Sequence, residues 1–290
     1  MLEIKGAGVA LVTPFKENGE VDHIGLAKLI EHQMQGGTDF LVIMGTTGES
    51  ATITTEEKKA IIATIKTANS NNLPLVLGVG GNCTRTVCDS LRDTDFEGFC
   101  AILSVSPYYN KPNQEGIYQH YMAVANVSPL PIILYNVPGR TGSNISADTT
   151  LRLAQHPNIW ATKEASANWE QVMEIIQNKP EGFVVLSGDD NYTLPFISLG
   201  MDGVISVICN AYPSEFSTMV HAALENDFIA ARKEHYKLLN HMNLIFADGN
   251  PGGIKVVLNE MGICENEVRM PLSIVNKEVE NKLREVTKNF

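Results

Sequence analysis

A handful of side chains in this sequence are of the types that carbonyl chemistry requires, and each falls where an apolar run stops. Lys163 follows the run Ile159-Trp160-Ala161 in the stretch Asn158 to Ser166. A lysine held at the mouth of a dry strand end sheds part of its solvation, which frees a neutral amine for attack on a carbonyl. The alternative is a strand-end lysine that points at water and pairs with Glu164. Tyr135 ends the run from Pro131 and is followed by Asn136-Val137-Pro138-Gly139-Arg140-Thr141-Gly142. Its phenol can face a barrel mouth, and the planar fork of Arg140 suits a carboxylate; a surface salt bridge is the alternative for Arg140. Gly45-Thr46-Thr47-Gly48-Glu49-Ser50 places hydroxyls between glycines, with backbone amides free to hold a carboxylate near a helix start, or else forms a capping turn. Tyr108 and Tyr109 are candidate proton carriers or amphipathic packing residues.

Other chemistries lack their residues. The seven histidines show no H-x-x-x-H spacing, so no metal is expected. Gly188-Asp189-Asp190 is a weak ligand set, and capping of the following helix is the better reading. Gly78-Val79-Gly80-Gly81 lacks the third glycine of a dinucleotide site, and there is no Walker loop. With lysine, tyrosines, threonines and arginine at strand ends and no cofactor signature, the combination suits an imine. The protonated imine nitrogen would act as electron sink for enamine formation, and a Tyr–Thr–Tyr hydroxyl chain would move the protons.

Those residues can meet only if the chain brings strand ends to one rim. Apolar runs read as strands at Gly8 to Thr13, Phe40 to Met44, Leu75 to Val79, Phe99 to Val105, Pro131 to Tyr135, the Lys163 stretch, Phe183 to Leu186 and Gly203 to Ile208. Amphipathic helical patterns lie between them, the first opened by Asp22 and stopped by Gly36-Gly37, the second capped by Thr54 or Thr55. Eight strand–helix units of about 30 residues, with strands apolar on both faces, predict an α/β fold closed as a (β/α)8 TIM barrel over residues 1–226. A doubly wound open sheet is the alternative. Residues 227–290 show helical patterns alone and read as a helical appendage for assembly or support.

The 290 residues, 44% hydrophobic and 19% charged, are enough for a core without staples. A net charge of −11 without a Lys/Arg cluster argues against nucleic acid. Five cysteines without a C-x-x-C pair fit reduced thiols. The apolar stretch Ala7 to Val12 is too short for a signal-peptide core, and no window approaches the roughly 18 apolar residues of a membrane span. A soluble, cytoplasmic protein is expected.

At these motifs, together with Pro107-Tyr108-Tyr109-Asn110, Lys163-Glu164-Ala165, Ser187-Gly188-Asp189-Asp190 and Gly203-Val204-Ile205-Ser206, the sequence resembles the dihydrodipicolinate synthase / N-acetylneuraminate lyase family over nearly its whole length. The resemblance implies a lyase that condenses pyruvate with L-aspartate 4-semialdehyde on the diaminopimelate route to lysine. Lys163 would carry the Schiff base, Tyr135 would exchange protons over the imine, and Thr46 would be the relay threonine. Thr47 would hold the pyruvate carboxylate, Gly188 and Ile205 would line the pyruvate pocket, and Arg140 would bind the semialdehyde carboxylate. Tyr109 would reach in from a neighbouring subunit of a homotetramer built as a dimer of dimers. Neuraminate lyases differ at the first loop and lack an arginine matching Arg140; a different keto-acid aldolase, or a silent keto-acid-binding barrel, remains the alternative. Thr55, Lys58 and Thr86 depart from the pattern of lysine-inhibited members, so weak or absent feedback by lysine is expected, because a like charge opposes a cationic ligand.

Overall fold

The structure, a computed structural model, describes residues 4–290. Eight parallel strands close in sequence order into a barrel: β1 (Gly6–Ala10), β2 (Phe40–Ile43), β3 (Leu75–Gly78), β4 (Ala101–Val105), β5 (Ile132–Asn136), β6 (Ile159–Glu164), β7 (Val184–Ser187) and β8 (Gly203–Ser206). β8 returns to β1 with Gly6 opposite Gly203 and Gly8 opposite Ile205. Helices α1 (His23–Gln35), α2 (Thr55–Ala68), α3 (Thr84–Asp93), α4 (Gln114–Val127), α5 (Pro138–Thr141), α6 (Ala147–Leu153), α7 (Trp169–Asn178), α8 (Thr193–Ser198) and α9 (Pro213–Leu224) make the crossovers. The tail adds α10 (Phe228–Leu244), α11 (Gly252–Glu260) and α12 (Lys277–Lys288). Among the described residues no helix is long and apolar enough to cross a membrane.

Alternation along the strands divides the apolar residues into two cores. Ala10, Phe40, Val42, Val76, Ala101, Leu103, Ile133, Tyr135, Ala161, Leu186 and Ile205 fill the barrel. Their neighbours, such as Val9, Leu41, Leu77, Ile102, Leu134, Val185 and Val204, face the helices. The interior is too full for a side chain at every position: a Cβ on Gly8 would lie 2.2 Å from the Phe40 ring, so glycine there makes room for the aromatic.

Local chemistry sets the helix starts. Asp22 accepts from the amides of Ile24 and Gly25 ahead of α1, and Thr54 with Glu57 forms a reciprocal capping box on α2. The strand ends differ from the sequence reading for an identifiable reason. The first strand begins at Gly6 rather than Gly8 and leaves its ladder before Thr13, where the Val12 amide donates to Asn210 Oδ1 at 3.1 Å. The last ends at Ser206 rather than Ile208, because the Val207 and Ile208 amides turn to the Asp190 carboxylate, Ile208 at 2.8 Å. That corrects the capping role expected for Asp189 and Asp190: neither side chain caps the following 3-10 turn, Asp190–Tyr192. Asp190 instead ties the end of β7 to the end of β8.

On β6 the alternation is broken once. Ile132 pairs with Ile159, but the next residue of β5, Ile133, pairs with Ala161. Trp160 is the extra residue of a bulge, and Ile159 faces the outer core while Ala161 faces the barrel. Lys163, two residues beyond Ala161, therefore points inward, and Glu164 points out.

Candidate active site

Lys163 is 5% exposed and sits opposite Tyr135 across the β5–β6 ladder. Its Nζ lies 4.5 Å from the centre of the Tyr135 ring. On its other side Gly188 comes so close that a Cβ there would lie 3.1 Å from Lys163 Cε and 2.5 Å from Ala165 Cβ. Glycine at this position lets the end of β7 pack directly against the stem of the lysine. Ile205, fully buried, belongs with Tyr135, Ala161 and Leu186 to the barrel filling beneath. Asp189 is close enough to feel the Lys163 charge, which opposes the rise that burial imposes on its carboxyl. Burial pushes Asp190 up to about 6, against the pull of the Ile208 and Val207 amides.

Lys163 and Glu164 do not pair. Glu164 is 1% exposed and accepts from Asn136 Nδ2 at 3.0 Å, Gln171 Nε2 at 3.1 Å and the Ser166 amide at 2.8 Å. Burial raises its carboxyl, and these donors oppose the rise. A buried carboxylate behind the lysine, satisfied by side chains of β5 and α7, fixes the backbone on either side of the amine.

Above Tyr135 opens a cleft of about 540 Å³ whose walls include Thr46, Glu49, Lys58, Tyr108, Tyr135, Arg140 and Asn250. Arg140 stands on α5, a four-residue helix in what reads from sequence as a loop, and forms no ion pair among the described residues. Thr46 and Tyr135 reach the cleft, whereas Thr47 is buried and its hydroxyl accepts from Asn250 Nδ2 at 3.0 Å. Tyr109 does not join them: its side chain is 87% exposed, on a left-handed backbone with φ 73°. No hydrogen bond links the hydroxyls of Tyr135, Thr46 and Tyr109 among the described residues. Met44 and Glu49, with φ of 58° and 53°, add two further non-glycine residues in the left-handed region at this rim. Such outliers persist where the surroundings over-determine them, and they collect at functional sites.

One part of the rim was missed from sequence. Glu49, expected in an anion-binding or capping turn, is buried against Lys255 of α11, with Glu49 Oε1 2.6 Å from Lys255 Nζ and both side chains inaccessible. A lysine inside the apolar run Ile254-Lys255-Val256-Val257-Leu258 was the available signal, since such a charge has to find a partner. Among the described residues no group of three or more histidine, cysteine or acidic side chains could hold a metal ion.

Fold and rim together define a parallel α/β barrel with a buried lysine at the end of one strand. Known proteins narrow the class. Residues 3–290 match the Dihydrodipicolinate synthetase family, and the chain belongs to that family. A 4-hydroxy-tetrahydrodipicolinate synthase of Parabacteroides distasonis is 54% identical over 290 residues, covering 100% of this chain and 98% of the relative. Dihydrodipicolinate synthase of Aquifex aeolicus superposes with a TM-score of 0.94 at 44% identity, over 99% of this chain and 98% of that one. The chloride-inhibited dihydrodipicolinate synthase of Acinetobacter baumannii, solved with pyruvate, gives 0.95 at 39% identity over 99% of each chain.

Proposed function

We propose that this chain has 4-hydroxy-tetrahydrodipicolinate synthase activity, condensing pyruvate with L-aspartate 4-semialdehyde through an imine on Lys163. The observation that carries the proposal is the placement of the Lys163 amine: buried, inward-facing, 4.5 Å from the Tyr135 ring, on a stem packed against Gly188. The amine adds to C2 of pyruvate and water leaves. Loss of a proton from C3 then gives the enamine, whose electrons return to form the carbon–carbon bond at the aldehyde carbon while the aldehyde oxygen takes up a proton. The amino group of the condensed semialdehyde then adds to the imine carbon, closing the ring as the bond to Lys163 Nζ breaks and a proton passes to the released lysine amine. No external cofactor is needed, because the imine nitrogen holds the electrons.

Tyr135, over the amine, exchanges protons with the imine, and Thr46 passes them on. Thr47, Gly188 and Ile205 shape the pocket for the pyruvate carboxylate and carbon skeleton. Arg140, on the cleft wall and without an ion pair among the described residues, takes the carboxylate of the second substrate. Tyr109 completes the relay in a neighbouring copy of the chain, which its exposure and left-handed backbone support. The same reading makes residues 1–226 the catalytic unit and 227–290 a supporting one, in a dimer-of-dimers tetramer working in the cytoplasm.

Borohydride added with pyruvate should leave a stable mass on the peptide containing Lys163, and no adduct there would remove the mechanism. Turnover of pyruvate and the semialdehyde, assayed beside N-acetylneuraminate cleavage, separates the synthase from a sugar-acid lyase and from a silent binding barrel. Arg140→Ala should raise the KM for the semialdehyde at least tenfold, as expected for loss of a charged contact of about 1.5–3 kcal/mol, with trapping intact. If trapping fails too, Arg140 is structural.

A further inference from the structure

The loop that carries Thr46 and Thr47 is short of interactions of its own. Its turns close through Gly48 N to Gly45 O at 3.1 Å and Glu49 N to Thr46 O at 3.0 Å. Glu49 then holds the left-handed conformation that redirects the chain into the 3-10 turn Ser50–Thr52. A glutamate gains nothing from that backbone and has to be kept there from outside.

Thr13 Oγ1 donates to the Gly48 carbonyl at 2.7 Å and Asn250 to Thr47, but the restraint on Glu49 itself comes from more than 200 residues further along the chain, as Lys255 donates to Glu49 Oε1 at 2.6 Å with a sequence separation of 206. Lys255 also donates to the Glu267 carbonyl at 2.6 Å, and its Nζ lies 4.4 Å from the centre of the Phe15 ring. Glu49 Oε2 accepts from the Arg269 amide at 2.9 Å. The Arg269 side chain stacks on Phe15, donates to the Gly19 and Thr52 carbonyls and pairs with Glu57 at the start of α2. Both carboxylate oxygens of Glu49 are thus attached to the segment 255–269, and Arg269 holds the far end of the 3-10 turn. Burial on its own pushes the Lys255 ammonium down, and the Glu49 carboxylate opposes that.

We propose that the Glu49–Lys255 ion pair, anchored at the Arg269 amide, is a positioning device for the reaction: it fixes the loop so that Thr46 meets the proton on Tyr135 and Thr47 meets the carboxylate. Neither Glu49 nor Lys255 touches substrate. A buried pair between hydrophobic walls gives little stability over apolar residues of similar size, so its worth lies in the geometry that it imposes on one loop. It rests on the roles given to Thr46 and Thr47 above, and it gives the tail of the chain a part in the chemistry.

The test uses two variants of the full-length protein. Glu49→Gln/Lys255→Met removes both charges at once, which avoids the uncompensated charge that either single change leaves in the interior. Glu49→Asp keeps the pair and shortens its arm by one methylene. Each is measured for melting temperature, for kcat and KM with both substrates, for trapping of pyruvate by borohydride, and for exchange of the pyruvate methyl protons in D2O without semialdehyde. A displacement of about 1 Å in a positioned group costs up to about a hundredfold. Expected are falls in kcat and in methyl exchange, by the same factor of about ten or more, in whichever variant melts within a few degrees of the wild type. KM for the semialdehyde should stay within twofold and trapping should still reach one adduct per chain. Exchange and kcat within twofold of wild type in either folded variant overturn the proposal. So does failure of both variants to fold, which makes the pair a stability element. Thr46→Val separates this from its premise: if that change leaves methyl exchange untouched, the relay role of Thr46 is wrong, whatever the ion pair does.

Discussion

Adding one methyl group at Gly188 should cost this protein more activity than stability. An ideal Cβ there lies 2.5 Å from Ala165 Cβ and 3.1 Å from Lys163 Cε, whereas carbons rest at about 3.5–4.0 Å. The shortfall is roughly 1 Å against Ala165 and roughly 0.4 Å against Lys163. The first can be met only by spreading two strand ends held in the sheet, where the Gly188 amide donates to the Glu164 carbonyl at 2.8 Å and the Ala165 amide to the Asn136 carbonyl at 2.9 Å. The second falls on the Lys163 side chain, so both the strand that carries the amine and its stem are displaced. Overpacking of this kind costs about 1–3 kcal/mol, which lowers the melting temperature by roughly 2–10 °C for a domain of this size. The displaced amine should slow pyruvate trapping and kcat by about ten- to a hundredfold. Stopped-flow quench with borohydride, run beside a thermal melt, reads both quantities. A Gly188→Ala variant with trapping within twofold of wild type would refute the close approach as the determinant of the lysine's position.

Three further outcomes are expected. Tyr109→Phe should leave the melting temperature unchanged, because only a hydroxyl is removed and the ring stays, yet lower kcat at least tenfold. Mixing it with Lys163→Ala chains should restore part of the activity; no recovery on mixing would deny the shared site. The Arg269 guanidinium beside Glu57 holds its carboxyl down at about 2 from the usual 4.5, so the stabilisation is complete above about pH 4.5 and is lost as pH falls through about 2. Melts of Glu57→Gln should therefore lack that acid dependence, and an unchanged profile would assign it elsewhere. Lysine should inhibit weakly or not at all, since Lys58 lines the cleft without an ion pair among the described residues; near-complete inhibition by submillimolar lysine in a steady-state assay would contradict this.

The barrel was legible because strands covered on both faces read as continuous apolar runs, and eight of them recur with helical patterns between. Their ends were less so, since side chains from elsewhere end the ladders: Asn210 takes the Val12 amide and Asp190 those of Val207 and Ile208. Neither capture leaves a trace in local sequence. Lys163, Tyr135 and Arg140 could be picked out because each interrupts or follows an apolar run at a strand end. The outward aim of Tyr109 and the inward turn of Thr47 toward Asn250 could not, being set by backbone torsions and by a partner 203 residues away. Glu49 was visible as a residue of the turn after β2, but its buried pairing was not, because its partner lies on α11.

The bulge at Trp160 has a bearing on how this enzyme's length can change. In a strand of plain alternation, gain or loss of one residue turns every later side chain to the opposite face. On β6 the ladder already passes over Trp160, whose indole donates to the Pro157 carbonyl at 3.0 Å outside the barrel. Deleting that residue would leave Ile159 opposite Ile132, Ala161 opposite Ile133 and Lys163 opposite Tyr135. The segment leading to the reactive amine therefore holds one residue of slack, and a single-codon deletion there can be absorbed without turning the amine out of the barrel.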